Sequence, residues 1–342
     1  MPKPDFTKNA AKLLMAGAAT LLLWSTTVAT ASAQAIADPS YTVQIYGNTS
    51  TIELAPVLAT VERDFFKGQA VISNGGIPNL FSAGKDGAGS SAKTAKTVLL
   101  ATNAETQALR QSVDHPDLRV IFTVSEGLYR IVAKRSAGIR KLADLKGKKV
   151  GTIPNTSSQY FLHKMLGTAG LSLDDVKIVP LASLEKYKTA LTEQGLDAIT
   201  VWEPGADYAA ASIGADAIEF SGKGVYREIF NLYTTAAELA DPVKHAVILQ
   251  FVKDLKIATK ELNTTPQAMV PLVARRTGLP EQVVAHAWPH HEFSADLAPD
   301  LLDVMTEEDQ WVARETGRPP RTREQLALLI DASVYLTAKI GR

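Results

Sequence analysis

The sequence predicts an α/β fold in which short strands and helices alternate along most of the chain. The strand patterns are short and rich in β-branched residues, as over residues 41–46 and 98–102. Alternation with helices is typical of parallel sheets that helices cover on both faces. After Ala236 only helical patterns follow, separated by Pro289 and by Pro319 with Pro320.

The first part of the chain is predicted to contain five strands with helices between them. The first helix is expected to begin at Ser50, because Glu53 stands three residues later, at the spacing of a capping box. Asn103 is expected to cap the next helix, over residues 104–111. Residues 82–97, rich in Gly, Ser, Ala and Lys, predict a surface loop. The five strands are expected over residues 41–46, 68–73, 98–102, 119–124 and 129–134.

The second part continues the alternation and then becomes helical. Thr156 and Gln159 repeat the capping-box spacing and predict a helix that runs to about residue 166. Strands are expected over residues 149–153, 176–180, 198–202 and 229–234. Further helices are expected over residues 184–193, 243–262, 266–276, 281–288, 298–316 and 322–339.

The composition excludes several classes of protein. The 342 residues suffice for one large domain or two of ordinary size. Lys and Arg number 36, as do Asp and Glu, so the charge favours neither nucleic acid nor an anionic membrane as partner. Cysteine is absent, which excludes disulfides, thiolate metal sites and cysteine nucleophiles. We expect no cofactor, no metal site and no catalytic residue, since no Gly-x-Ser-x-Gly elbow or other nucleophile–base pattern is found.

The first 33 residues have the pattern of a signal peptide. Three lysines within residues 1–12 precede an apolar stretch, and residues 31–33 supply the small-x-small pattern that signal peptidase recognises. We expect cleavage before Gln34, with Ile36 as the alternative mature N-terminus. An uncleaved membrane anchor is the other interpretation, but the apolar stretch is short and contains three hydroxyl residues. The sequence therefore predicts an exported, periplasmic protein.

A block in the middle of the chain carries a family signature. Residues 144–151 are Asp-Leu-Lys-Gly-Lys-Lys-Val-Gly, and further matching segments follow at residues 155–158, 169–171 and 197–204. In order and spacing these segments resemble the periplasmic binding proteins for nitrate, sulfonate and taurine. The superfamily also includes thiamine-pyrimidine precursor binding proteins. Its fungal enzymes, which build that pyrimidine, use a cysteine-rich iron motif that this chain lacks.

The resemblance implies a type II, Venus-flytrap fold. Two α/β lobes would be joined by two crossovers, near residues 132–136 and 231–235, with the ligand in the cleft between them. The first lobe would comprise residues 34–133 and 235–342, including the C-terminal helices, and the second lobe residues 134–234.

The resemblance also implies a function. The expected role is the periplasmic component of an ABC importer, which captures a small organic solute by hinge closure and is not an enzyme. The alternatives are a sensory ligand-binding subunit and, less favoured, an enzyme on the same fold. The expected partners are the small-molecule ligand and an importer permease in the inner membrane, and we expect a monomer.

Polar side chains that follow the predicted strands are the candidates for ligand contact. Ligands of parallel sheets bind at the carboxyl ends of strands, beside helix N-termini. There Thr156, Ser157 and Ser158 would donate hydrogen bonds to an anionic oxygen. Simple helix capping is the alternative explanation. The same two interpretations apply in the opposite lobe to a further set of candidates: Asn48, Thr49, Ser50 and Asn103.

Trp202, three glutamates and Arg227 complete the predicted ligand-binding set. Trp202 would stack on an apolar part of the ligand, or else pack in the core. Glu105, Glu126 and Glu203 stand at corners of the fold, where they would repel a bare anion and accept N–H groups from an amine, amidine or aminopyrimidine. The alternatives are favourable charge at helix N-termini for Glu105 and Glu203, and plain surface charge for Arg227.

Overall fold

Two β-sheets form the frame of the fold in the computed structural model, which describes residues 41–82, 96–182 and 184–340. The predicted signal peptide and residues 83–95 of the predicted surface loop lie outside the described residues. In chain order the strands are β1 (Thr42–Gly47), β2 (Gln69–Asn74), β3 (Thr97–Ala104), β4 (Leu118–Gly127), β5 (Arg130–Lys134), β6 (Lys149–Thr152), β7 (Lys177–Pro180), β8 (Ala198–Val201), β9 (Ala217–Ser221), β10 (Glu228–Thr235) and β11 (His291–Glu292).

Helices connect the strands and form the C-terminal part of the described chain. They are α1 (Ala55–Glu62), α2 (Pro78–Ser82), α3 (Glu105–Gln111), α4 (Ser157–Thr168), α5 (Ala190–Glu193), α6 (Gly205–Ile213), α7 (Ala236–Ala240), α8 (Pro242–Thr264), α9 (Pro266–Thr277), α10 (Glu281–Ala287), α11 (Leu301–Thr316), α12 (Arg323–Ala327) and α13 (Ser333–Ile340). None of the helices in the described ranges is long and apolar enough to cross a membrane.

Both sheets are mixed, whereas the alternation of strands and helices predicted parallel sheets. The first has the order β11-β4-β10-β3-β1-β2, in which β1 is parallel to β2 and β3, and β10 is antiparallel to β3 and β4. The second has the order β7-β6-β8-β5-β9, in which β5 is antiparallel to both neighbours. The chain runs directly from β4 of the first sheet to β5 of the second, and from β9 of the second sheet to β10 of the first. Because β5 and β10 are antiparallel to their neighbours, neither needs the helical crossover that a parallel neighbour requires.

The chain passes between the sheets slightly earlier than the resemblance implied. Residues 132–134, expected at a crossover, belong to β5 in the second sheet, and residues 231–235 belong to β10 in the first. The connections are therefore residues 128–129 and 222–227. Strand pairing decides these positions, because β5 hydrogen-bonds to β8 and β9 along most of its length.

The C-terminal helices pack on the first sheet, as expected. Phe251 and Leu255 of α8 belong to the same buried cluster as Ile45 and Leu100 of the first sheet. The last predicted helix is instead two helices, α12 and α13. Between them the backbone of residues 329–331 hydrogen-bonds to Val120 of β4, which interrupts the helix.

Two predicted helix starts are wrong and one is confirmed. Helix α1 begins at Ala55, not at Ser50. The side chain of Asn48 accepts a hydrogen bond from the Ser50 N–H and holds a turn there, and Pro56 favours the later start. Asn103 is the penultimate residue of β3, so it does not cap α3. Thr156 caps α4 as predicted, with its hydroxyl accepting the Ser158 N–H at 3.2 Å.

Candidate functional site

A cavity of about 530 Å³ lies where strand ends of the two sheets face each other. The first sheet contributes Thr102 and Asn103 near the end of β3 and Phe230 from β10. The second contributes the segment from Pro154 to Ser157, between β6 and α4, and Trp202, directly after β8. The position agrees with the rule that ligands of α/β sheets bind outside the carboxyl ends of strands.

Five of the predicted ligand-binding residues line this cavity. Thr156 and Ser157 lie at the N-terminus of α4, and Trp202 contributes a half-buried aromatic wall together with Phe230. The other two predicted residues in the lining are Asn48 and Asn103. Their contact with a ligand stays a prediction.

Three hydroxyl residues of the predicted set lie outside the lining of the cavity. Ser50 is exposed in the turn after β1, beside Thr49. Ser158 is fully buried, and its hydroxyl donates to the Thr200 carbonyl at 2.6 Å, behind the cavity wall. Because that donor serves the interior of the second sheet, this geometry does not support ligand contact by Ser158.

Glu105 is also outside the lining, because the fold satisfies its carboxylate internally. It is fully buried and accepts hydrogen bonds from the Tyr226 hydroxyl at 2.9 Å and from the Ile229 N–H at 2.8 Å. Burial, and then the charge of Glu308, raise the pKa of Glu105 well above its ordinary value. Glu105 thus fastens α3 to the chain at the start of β10.

Glu126, Glu203 and Arg227 are engaged in ion pairs away from the cavity. The Glu203 carboxylate lies 2.9 Å from the Arg130 guanidinium and accepts the Asp207 N–H at 3.1 Å. Burial raises the pKa of Glu203, and Arg130 opposes that rise. Arg227 pairs with Glu126, and also with Asp300. Their contact with a ligand also stays a prediction that this geometry does not support.

Two glutamates that the sequence did not single out as ligand-binding line the cavity instead. Glu53 is 2% exposed, and its Oε1 lies 3.7 Å from Nε2 of His291. Glu228 is 4% exposed, and its Oε1 accepts a hydrogen bond from the Ser157 hydroxyl at 3.2 Å. In each carboxyl group the second oxygen, Oε2, is buried and has no hydrogen-bond partner among the described residues.

The electrostatics of the two glutamates differ. Burial, followed by the charges of Glu53 and Glu105, raises the pKa of Glu228 well above its ordinary value, and the nearby hydroxyls of Tyr129 and Ser157 lower it only in part. Burial alone would lower the pKa of His291, but the adjacent carboxyl group of Glu53 raises it overall. Glu53 thus has a histidine neighbour, whereas no basic side chain within the described ranges forms an ion pair with Glu228.

The sequence contains little that points to either glutamate as a ligand-binding residue. Glu53 fitted the predicted capping box, which accounted for its charge without a ligand. Glu228 precedes the apolar run of β10, where every residue is buried. A carboxylate at the start of a fully buried strand needs a partner, but the burial of this strand is seen only in the structure.

Small residues and amides complete the lining. A Cβ at Gly76 would lie 2.5 Å from Nδ2 of Asn103, so a larger residue there would displace the Asn103 side chain. Its N–H donates to the Asn79 side chain at 2.9 Å, which orders the loop after β2. No group of three or more His, Asp or Glu side chains is placed to hold a metal in the described ranges. The site therefore presents acceptors, amides and an aromatic wall.

A family model describes more than half of the chain. Residues 76–266 match the model described as NMT1/THI5 like. The chain belongs to the NMT1/THI5-like family. The predicted membership of this superfamily is confirmed, and the cavity-lining residues from Gly76 to Phe230 lie within the matched range.

The curated relatives match only a short part of this chain. A protein of Brucella abortus (strain 2308), named as a candidate binding protein, is 36% identical over 75 residues, which are 22% of this chain and 23% of the relative. The alignment thus spans about a quarter of that protein.

Solved structures confirm the two-lobed fold. The periplasmic aliphatic sulphonate binding protein SsuA from Escherichia coli has a TM-score of 0.67 at 17% identity, covering 83% of this chain and 91% of its own. The desulfurization enzyme DszB has a TM-score of 0.61 at 13% identity, covering 87% and 99%. The fold therefore occurs in a binding protein and in an enzyme.

Proposed function

We propose that this protein is the solute-binding component of an ABC importer and that it holds a small organic solute in the cavity between the two sheets. The observation that carries the proposal is the cavity itself, whose walls come from strand ends of both sheets. They include two buried carboxyl groups, each with an oxygen that has no hydrogen-bond partner in the part of the chain that the structure describes. A bound solute would supply the hydrogen bonds that these two oxygens lack.

The two sheets would act as two lobes that close on the solute. The lobes follow the sheets, with residues 128–129 and 222–227 as the connections between them. A ligand that contacts Phe230 on one side and Trp202 on the other stabilises the closed arrangement relative to the open one. Closure would then present the surface that a permease recognises.

Export and partners follow from the same proposal. The signal-peptide pattern of residues 1–33 and the periplasmic location named for the E. coli neighbour support a periplasmic protein that acts as a monomer with an inner-membrane permease. Intact-mass measurement of the periplasmic protein should give Gln34, or else Ile36, as the first residue. Full-length chain in the membrane fraction would contradict this part of the proposal.

An enzymatic role is the second candidate, because DszB shares the fold. The chain has no cysteine and no nucleophile–base motif, so binding without turnover is the function we favour. A sensory subunit would use the same closing cleft, and neighbouring genes for a permease and an ATPase would favour transport over sensing.

Thermal-shift screening followed by small-angle scattering tests the proposal. A true ligand at a hundred times its dissociation constant adds about 2.7 kcal/mol to the free energy of unfolding. With that ligand bound at saturation, the radius of gyration should decrease as the lobes approach each other. A ligand that binds but leaves the radius unchanged would show that the cleft does not close.

A further inference from the structure

The ionisable side chains that line the cavity are all acidic among the described residues. Among the described residues that line it, Glu53 and Glu228 are the ionisable side chains, and no Lys, Arg or His side chain joins them. The rest of the polar lining consists of amides, hydroxyls and backbone groups. The described lining thus holds no cationic side chain that could pair with the two carboxyl groups.

The two carboxyl groups also have unused capacity for hydrogen bonds. Ser157 uses one oxygen of Glu228, and His291 lies beside one oxygen of Glu53, while Oε2 of each is buried without a partner among the described residues. A buried acceptor left without a donor costs about 1–3 kcal/mol. A ligand with N–H donors would remove this cost.

The aromatic wall beside the carboxyl groups favours the same ligand. Trp202 and Phe230 line the cavity, and the ring centroid of Trp202 lies 6.4 Å from that of Tyr129. Indole and phenyl faces attract cations and planar delocalised groups. The wall and the acceptors therefore suit one planar, N–H-bearing cation.

We propose that the cavity binds a solute carrying a protonated nitrogen or an amidine-type pair of N–H groups, and that Glu228, assisted by Glu53, accepts its hydrogens. The proposal rests on the solute-binding function above and adds the chemical class of the ligand. Glu228 is the principal acceptor, because no cationic side chain within the described ranges forms an ion pair with it, whereas His291 lies near Glu53.

The experiment compares three planar probes of the same size and different charge. Benzamidine is a cation, benzamide is neutral and benzoate is an anion, and butane-1-sulfonate is added as an aliphatic sulfonate. Isothermal titration of the purified protein at millimolar probe concentrations should show binding of benzamidine and weaker or no binding of the other three.

Variants assign the binding to the two glutamates. Glu228→Gln keeps the size of the side chain and should weaken benzamidine binding by at least about tenfold, with a smaller loss for Glu53→Gln. Glu193→Gln is the matched control, because Glu193 is exposed on α5 and outside the cavity, and it should bind as the wild type does. Circular dichroism checks that each variant is folded, and if Glu228→Gln does not fold, the loss in Glu53→Gln decides.

Each outcome bears on a separate claim. Failure of benzamidine to bind, or equal affinity in the wild type and both cavity variants, overturns the proposed ligand class. Binding of benzoate or butane-1-sulfonate in preference to benzamidine also overturns it, while solute binding stands. The importer function fails independently, if scattering shows no closure with a probe that binds.

Discussion

Five buried glutamates of this protein fall into two groups that the sequence does not distinguish. Glu105, Glu126 and Glu203 have basic or donor partners and lie outside the cavity. Glu53 and Glu228 line the cavity, and each has a buried oxygen without a hydrogen-bond partner among the described residues. An oxygen of Glu203 also lacks a hydrogen bond, but it lies 2.9 Å from the Arg130 guanidinium and outside the cavity lining.

We infer from this difference that the first group stabilises the fold and that the second group is available to a ligand. A buried carboxylate with two donors, such as Glu105, stabilises the native fold relative to a variant in which those donors lose their acceptor. A buried carboxylate without a second partner, such as Glu228, costs stability until a ligand arrives. Sites of this kind commonly reduce stability in exchange for binding, so the two groups should respond oppositely to the same substitution.

The largest effect is expected where a buried ion pair of the first group is broken. Arg130→Met leaves Glu203 buried without its guanidinium partner, which should lower the free energy of unfolding by about 3 kcal/mol. The double variant with Glu203→Gln should recover much of this loss. Urea denaturation measures both. Arg63→Met is the control, since the pair of Arg63 with Glu261 is solvent-exposed and should contribute under about 1 kcal/mol. A similar loss of stability in Arg130→Met and Arg63→Met would show that the buried pair contributes no more than the exposed one.

The next effect contrasts Glu105→Gln with Glu228→Gln. Glu105→Gln weakens two hydrogen bonds and should cost about 1–3 kcal/mol of stability while leaving benzamidine binding unchanged. Glu228→Gln should leave stability unchanged or raise it, and should weaken binding. Denaturation and titration of the two variants measure both quantities. If Glu105→Gln lost affinity instead, Glu105 would belong with the ligand-binding group.

Stability should fall as the pH rises, because the buried carboxyl cluster holds protons in the native state. Burial raises the pKa of Glu308 from an ordinary 4.5 to about 8, and the pKa of neighbouring Glu105 is raised too. Between pH 4.5 and about pH 8 the native state binds more protons than the unfolded state. The free energy of unfolding therefore decreases as the pH rises through this range. Denaturation at intervals from pH 5 to pH 8 measures the slope.

The variant Glu308→Gln tests the source of that slope. Its dependence on pH should be flatter than that of the wild type over the same range, because one of the groups that hold a proton in the native state but not in the unfolded state is gone. An unchanged slope would assign the effect to other groups.

The smallest effect is optical and reports the cavity directly. Trp202 lines the cavity, whereas Trp311 is buried against Tyr160. Benzamidine binding should change the tryptophan emission of the wild type, and the change should be absent in Trp202→Phe. Persistence of the change in that variant would place the probe elsewhere.

The sequence by itself predicted the frame of the fold and part of the site. Apolar runs predicted the strands, the capping residue Thr156 predicted the start of α4, and the block at residues 144–151 predicted the family. These predictions succeeded because they depend on local patterns. The rule that ligands bind at strand ends then placed Thr156, Ser157 and Trp202 at the cavity.

Only the tertiary structure decided which glutamates are available to a ligand. The partner of Glu105 is 121 positions away in the chain, that of Glu126 is 101 positions away, and Glu228 meets Ser157 across 71 positions. Local sequence around each glutamate carries no information about such a partner. Whether a buried carboxylate is satisfied depends on where β10 and the connection before it pass, and the pairing of strands between distant segments determines that path.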